Sequence, residues 1–174
     1  MFGDGGDVVV LRWEWDDSEI SRVYNKYVDT VYRICYMLLK CEYESQDVVQ
    51  NVFIKLINSD KKFESDEHIK AWLILCAKNE CKNLIKHWWR SKKVPIDTVA
   101  EASICDEYKS DEVVNAILSL PDKFKLPIYL YYYEGYSTDE IAGIMKINPS
   151  TIRGRLKAAR EKLKLIIKGG DYVD

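Results

Sequence analysis

No stretch of this chain approaches the roughly 20 consecutive apolar residues that a membrane-spanning helix needs, so membrane insertion is not expected. The start, Met1-Phe2-Gly3-Asp4-Gly5-Gly6-Asp7, is acidic and lacks the basic opening of a secretory signal. A soluble, cytoplasmic chain is the expectation. Only two histidines are present, His68 and His87. No Ser/His/Asp order, phosphate-cradling glycine loop or paired set of metal ligands accompanies them, which argues against an enzyme. The five cysteines, Cys35, Cys41, Cys76, Cys81 and Cys105, are odd in number and include no CxxC pair, so neither a zinc site nor a disulfide framework is indicated. Cys35 and Cys76 fall on apolar helical faces and are expected in the core; a redox or metal use of Cys76, Cys81, His68 and His87 is the minor alternative. No metal and no cofactor are expected. Strand-like alternation is absent, as is any internal repeat, and the expected fold class is all-α.

What is present is charge, unevenly placed. The 26 Lys and Arg against 28 Asp and Glu leave a net charge of −2, which excludes a generally basic nucleic-acid coat. Between Ile69 and Lys93, however, Lys70, Lys78, Lys82, Lys86, Arg90, Lys92 and Lys93 stand against Glu80 alone. Between Pro149 and Lys168, Arg153, Arg155, Lys157, Arg160, Lys162, Lys164 and Lys168 stand against Glu161 alone. Two local basic patches in an acidic chain make an electrostatic footprint that the total conceals.

The second patch sits on a recognisable local pattern. Ser137 followed by Glu140 is a capping box that starts a helix with Ile141, Ile144 and Met145 on one face. Lys146-Ile147-Asn148 makes a tight connection, and Asn148-Pro149 caps a second helix. That helix carries Ile152, Leu156, Ala159, Leu163 and Ile166 as a narrow apolar stripe. Two short helices so joined read as a helix-turn-helix. At about 100° per residue, Arg153, Lys157, Arg160 and Lys164 share one sector beside the stripe, led by Ser150 and Thr151. Such a ridge suits the major groove of duplex DNA; the bland alternative is a solvated amphipathic face, which normally mixes its signs.

The rest of the chain reads as helices in two groups. Residues 1–17 form an arm whose Trp13 and Trp15 are expected to pack on the first helix. That helix starts near Asp17 or Ser18 and keeps Ile20, Val23, Tyr24, Tyr27, Val28, Val31, Ile34, Cys35 and Leu38 in period to about residue 40. A second helix spans Glu44 to Asn58, with Val48, Val49, Val52, Phe53, Leu56 and Ile57 apolar and Asp47, Gln50, Asn51 and Lys55 outward. Ser65 caps a third, long helix to about Arg90. Residues 94–110, with Pro95 and Asp97, Glu101, Asp106 and Glu107, make an acidic linker of low hydrophobicity. A helix restarts at Ser110 to Glu112, and Pro121 opens the next one, whose expected core face is Phe124, Ile128, Tyr131 and Tyr132. Pro127 either bends that helix or begins a fresh one. The expected division is an 18–93 domain, the linker, a 111–168 helix-turn-helix domain and a 169–174 tail.

Taken together, Glu44 to Leu56, Ile69-Lys70-Ala71-Trp72-Leu73, Ala77-Lys78-Asn79, Leu120-Pro121, Tyr133-Glu134-Gly135-Tyr136-Ser137, Glu140-Ile141-Ala142 and Ser150 to Leu156 carry a resemblance. From about Ile20 to Lys168 the chain resembles bacterial RNA polymerase sigma factors of the extracytoplasmic-function type. The resemblance implies that Asp47, Gln50, Asn51 and Lys55 dock on the clamp helices of the polymerase largest subunit. It implies that the loop from Ser59 to Glu67, with Phe63, captures a flipped minus-ten base. The opened minus-ten strand would then run along Lys70, Trp72, Lys78, Asn79, Lys82, Asn83, Lys86 and Arg90. The implied minus-thirty-five contacts are Ser150, Thr151, Arg153, Gly154, Arg155, Lys157, Arg160 and Lys164. Core polymerase and promoter DNA are the implied partners, an anti-sigma factor is a further one, and the free protein is expected to be a monomer. The chain departs from the family pattern at Asn83, often an acid, at Gly154, commonly Ser, and at His87-Trp88-Trp89, usually richer in arginine. The rival reading is a two-domain helix-turn-helix regulator whose N-terminal helices sense a ligand or partner.

Overall fold

The computed structural model describes residues 15–91 and 112–170. The arm before residue 15, the whole of the 94–110 linker and residues 171–174 lie outside the described residues. Among the described residues every regular element is an α-helix: α1 (Asp17–Leu39), α2 (Glu42–Ile57), α3 (Asp66–Ser91), α4 (Glu112–Ser119), α5 (Asp122–Tyr132), α6 (Thr138–Met145) and α7 (Pro149–Gly170).

The first three helices form one bundle. Asp16 starts α1 by accepting the Glu19 N–H at 2.7 Å, and Lys40 ends it in the left-handed region at φ 54°. Helix α2 begins two residues before the expected Glu44, and α3 begins where the Ser65 hydroxyl accepts the His68 N–H at 3.1 Å. Apolar residues three or four apart bring Val23, Val31 and Ile34 of α1 against Val52 and Leu56 of α2 and Leu73, Ile74 and Ala77 of α3, all fully buried. Each buried aliphatic side chain of this size contributes about 1.5–3 kcal/mol. Burial differs from expectation at three positions. Cys81, not Cys76, is the fully buried cysteine of α3, lying beside Cys35 of α1. Ile57 and Tyr24 are exposed at the edge of the core, Tyr24 lying 4.8 Å from the Phe53 ring. Trp15 is buried, and the ring facing it is Phe63 of the α2–α3 loop at 5.9 Å.

The second bundle is built around α5, which packs on α4, α6, α7 and, across the halves, α1. Every residue from 124 to 130 is buried, so no single face of α5 is the core face. Leu126, Tyr129 and Leu130 join Phe124 and Ile128 inside, whereas Tyr131 and Tyr132 project from the end of the helix, Tyr132 at 55% exposure. The expected Tyr131 and Tyr132 core contacts are therefore corrected. A helix covered on several sides hides residues that a one-sided pattern assigns to solvent. Helix α5 runs through Pro127 as one element, with Pro121 as its N-cap, and forgoes the backbone hydrogen bond that proline cannot donate. Gly135, at φ +73°, turns the chain from α5 toward α6 in a conformation few other residues adopt.

Helix α3 is tied to α1 by charge as well as by packing. Asp66, the first residue of α3, accepts from Arg22 at 2.9 and 3.0 Å and from Lys26 at 2.6 Å. These cations hold its carboxyl down to about 2. A carboxyl depressed by folding adds stability above its unfolded value and loses it as the pH falls toward the folded one. In thermal melts, this contribution should be intact above about pH 4 and disappear as the pH nears 2. Asp66→Asn should be the less stable protein at neutral pH, and its deficit should close across that interval.

Candidate nucleic-acid and polymerase interface

The helix-turn-helix forms from local hydrogen bonds alone. The Ser137 hydroxyl accepts the Glu140 N–H at 3.3 Å while Glu140 accepts the Ser137 N–H at 2.8 Å, so both limbs of the capping box are made. Lys146 takes a left-handed φ of 53°, the Ile147 N–H returns to the Ala142 carbonyl at 3.0 Å, and Asn148 caps α7 by accepting the Ser150 N–H at 2.9 Å. Ile152, Leu156 and Ala159 then lock one side of α7 into the bundle.

That locking decides what faces out. Ser150, Thr151, Arg153, Gly154, Lys157, Arg160 and Lys164 are exposed, and Arg155 is half-buried on the opposite flank. Arg153 lies 3.8 Å from Asp139 of α6 with both side chains in solvent, a pairing too weak to withhold the guanidinium from DNA. A side-chain carbon built on Gly154 would meet nothing within 4 Å, so the glycine leaves the outer face of the helix open for close approach.

The basic residues of α3 do not all share one face. A four-residue spacing overshoots one turn by about 40°, so Lys70 and Arg90 end up about 200° apart. Lys82, Lys86 and Arg90 are exposed, together with Asn79 and Asn83. Lys70 and Lys78 are half-buried and point at the second bundle. Lys70 pairs with Glu134 at 2.7 Å, and Lys78 donates to the Met145 carbonyl at the end of α6 at 2.9 Å. Phe63 and Trp72 are also half-buried, in an aromatic group with Trp15 and His68 whose ring centroids lie 5.3–5.9 Å from that of Phe63. Trp89, which the sequence reading left without a role, is 70% exposed near the end of α3.

On α2 the outward residues form a stripe opposite the buried face. Asp47, Gln50, Asn51 and Lys55 are all exposed; Asn51 donates to Asp47 at 3.3 Å, and Lys55 pairs with Glu80 of α3. Ile54, 52% exposed, lies among them, and Tyr43 extends the stripe toward the start of the helix. Both were missed in the sequence. The available signal was angular, since 43, 47, 50, 51 and 54 fall on one side of a helix at about 100° per residue. Among the described residues no cluster of His, Cys, Asp or Glu could hold a metal ion.

The family described as Sigma-70 region 2 matches residues 23–91, and that described as Sigma-70, region 4 matches residues 110–163. The chain is 30% identical over 134 residues to the ECF RNA polymerase sigma-E factor of Escherichia coli strain K12, an alignment covering 67% of this chain and 70% of that protein. It belongs to the extracytoplasmic-function sigma factors of the sigma-70 family. It is also 25% identical over 166 residues to the sigma factor SigW of Bacillus subtilis, with 86% of this chain and 89% of SigW covered. In fold it is similar to the sigma factor RpoE of Bartonella quintana, solved in complex with the anti-sigma factor NepR, at a TM-score of 0.71 and 22% identity over 87% of this chain and 98% of that one.

In this sigma factor region 2 thus corresponds to the bundle of α1, α2 and α3, and region 4 to α4 through most of α7. The ligand-sensing regulator is not favoured, because its sensing module would have to occupy the segment that matches region 2. The stripe on α2 and the core behind it can be separated by substitution. Phe53 is buried, and Phe53→Ser should cost about 3–5 kcal/mol of stability. Ile54→Ser and Asp47→Lys, on the exposed side, should stay within about 0.5 kcal/mol of the parent, as read in chemical denaturation.

Proposed function

We propose that the chain divides promoter recognition between its two bundles and works by binding, without catalysis of its own, in the cytoplasm. The 18–93 domain docks on core RNA polymerase and holds the opened minus-ten strand; the 111–168 domain reads the minus-thirty-five element as duplex; residues 94–110 link them. The observation that carries this reading is the one-sided exposure of Arg153, Lys157, Arg160 and Lys164 on a helix whose opposite face is locked into a core. In a protein with a net charge of −2, a basic row so placed, met only by the solvent-exposed Asp139 beside Arg153, suits the phosphates and base edges of a major groove.

The other assignments follow the surfaces. Asp47, Gln50, Asn51 and Lys55, joined by Ile54, make a mixed stripe suited to the clamp helices of the polymerase largest subunit. An apolar centre with a polar rim is the usual composition of such a contact. Asn79, Lys82, Asn83, Lys86 and Arg90 supply cations and amides along α3 for a single strand, with Trp89 as an added stacking surface. Phe63, Trp72, Lys70 and Lys78 complete that site once their present neighbours give way. An anti-sigma factor is a further partner of the kind seen with the Bartonella quintana protein.

Free protein should hold duplex promoter DNA weakly, and core polymerase should create specific binding, because each patch is small and the whole chain is acidic. Nanomolar binding by the protein alone at physiological salt would overturn the reading. Arg153→Ala should remove about 1–3 kcal/mol of discrimination at one minus-thirty-five position, whereas Arg155→Ala should weaken all sequences alike. Asn79→Ala and Lys82→Ala should leave duplex recognition intact and impair opening. Their transcription defect should shrink on a template already mismatched across the minus-ten region.

A further inference from the structure

Glu134, just after α5, is where the two bundles are fastened. Its carboxylate is about 10% exposed and has a partner on each side of the junction. One oxygen accepts from the Tyr129 hydroxyl of its own bundle at 2.7 Å and from the Thr30 hydroxyl of α1 at 3.4 Å. The other meets the Lys70 ammonium of α3 at 2.7 Å, and that ammonium lies 5.2 Å from the centroid of the Tyr136 ring. Eight residues further along α3, Lys78 closes the Met145 carbonyl. Lys70 and Lys78 are the two members of the basic track that do not face solvent.

Part of the junction opposes closure. Docking buries Lys78 and brings it toward Arg155 and Lys146, beside Lys82 of its own helix, and burial together with these like charges pushes its affinity for a proton down. Lys40 of α1 is likewise pushed down, mainly by burial, beside a Lys125 that is paired with Asp122. The Tyr136 hydroxyl, whose ring lies beside Lys70, is buried with no hydrogen-bond partner, which costs free energy. A junction whose buried ion pair is Glu134–Lys70, with cations of one sign gathered around Lys78, can be loosened by a competing anion.

We infer that Glu134 is an intramolecular latch: by holding Lys70 it seats the region 4 bundle on the strand-binding face of α3, so that the opened promoter strand and Glu134 compete for the same lysine. This rests on the reading of α3 as a strand track. Binding of the strand then requires the open form, and apparent affinity is scaled by the fraction of molecules already open. A phosphodiester brought to Lys70 and Lys78 replaces Glu134 and the Met145 carbonyl as their partner and removes the like-charge repulsion, so strand binding and opening reinforce each other.

The test uses the full chain and two readouts. Glu134→Gln keeps an oxygen for the Tyr129 hydroxyl and abolishes the charge pair. It should enlarge the radius of gyration in small-angle scattering and raise hydrogen exchange in peptides covering residues 66–80 and 129–146. Affinity for a fluorescein-labelled 12-nucleotide single-stranded DNA of mixed sequence should rise about two- to fivefold, the range one partly exposed ion pair can shift. Lys70→Glu should open the protein in the same way, and combining it with Glu134→Lys should restore the compact form. Glu134→Gln with parental scattering and exchange, or a double variant no more compact than Lys70→Glu, would overturn the latch. Opening without a gain in strand affinity would overturn the competition, provided Lys82→Ala still weakens the strand. If Lys82→Ala has no effect on strand affinity, the strand-track reading fails, while scattering and exchange still judge the latch.

Discussion

A carboxylate taken out of water needs a counter-charge, and Glu134 finds its counter-charge in the other half of the molecule. Lys70 pairs with it at 2.7 Å, and the hydroxyls of Tyr129 and Thr30 donate to it as well. Burying an unpaired charge is costly enough that seating α5 on α1 and α6 on α3 goes together with this pairing. Burial, and next the Glu134 carboxylate it donates to, raises the Tyr129 hydroxyl above its ordinary value. Tyr136, where burial is again the main cause, is pushed up to about 12. Both phenols therefore stay neutral, and neither adds a second negative charge to the junction.

Within each bundle the forces differ from those between them. Val23, Val31, Ile34, Val52, Leu56, Leu73, Ile74 and Ala77 bury aliphatic surface with no polar atom to satisfy, and the second bundle does the same around Leu130, Ile128, Ile141 and Ile152. Such cores are rigid supports. They hold α2 so that Asp47, Gln50, Asn51 and Ile54 face out together, and they hold α7 so that its arginines and lysines do. Between them the Lys70–Glu134 ion pair and hydrogen bonds are added to an apolar cluster that both bundles share, and salt and a competing polyanion weaken that polar part. Interfaces of that composition are typical of domains that move relative to one another. Rigid outward surfaces on two bundles suit the proposed engagement of two promoter elements.

The periodic helices were legible because local chemistry and burial agree in them. Ser65, Ser137 and Asn148 cap the helices they were expected to cap, since a capping hydroxyl or amide acts within three residues. The stripe of Ile152, Leu156 and Ala159 faces the core because a single neighbouring layer covers it. Helix α5 was misread where two layers cover it: residues 124–130 are buried whatever their polarity, down to Lys125, which satisfies its ammonium on Asp122 at 2.7 Å. Cys81 and Ile54 were overlooked for a related reason. Cys81 belongs to no apolar run and Ile54 sits inside one, Val52-Phe53-Ile54, and only angular position shows which way either faces.

By itself the sequence determined the all-α class, the helix-turn-helix and the basic row on α7, and it carried the resemblance that the family matches bear out. These depend on intervals of three and four residues, on caps and on charge sign, all of which act along the chain. Tertiary structure alone decided that the basic track of α3 is split, with Lys82, Lys86 and Arg90 in solvent and Lys70 and Lys78 held by the other bundle. Lys70 and Glu134 are 64 residues apart in the chain. No periodicity links residues so distant, and only the packing of one bundle on the other brings that carboxylate to that ammonium.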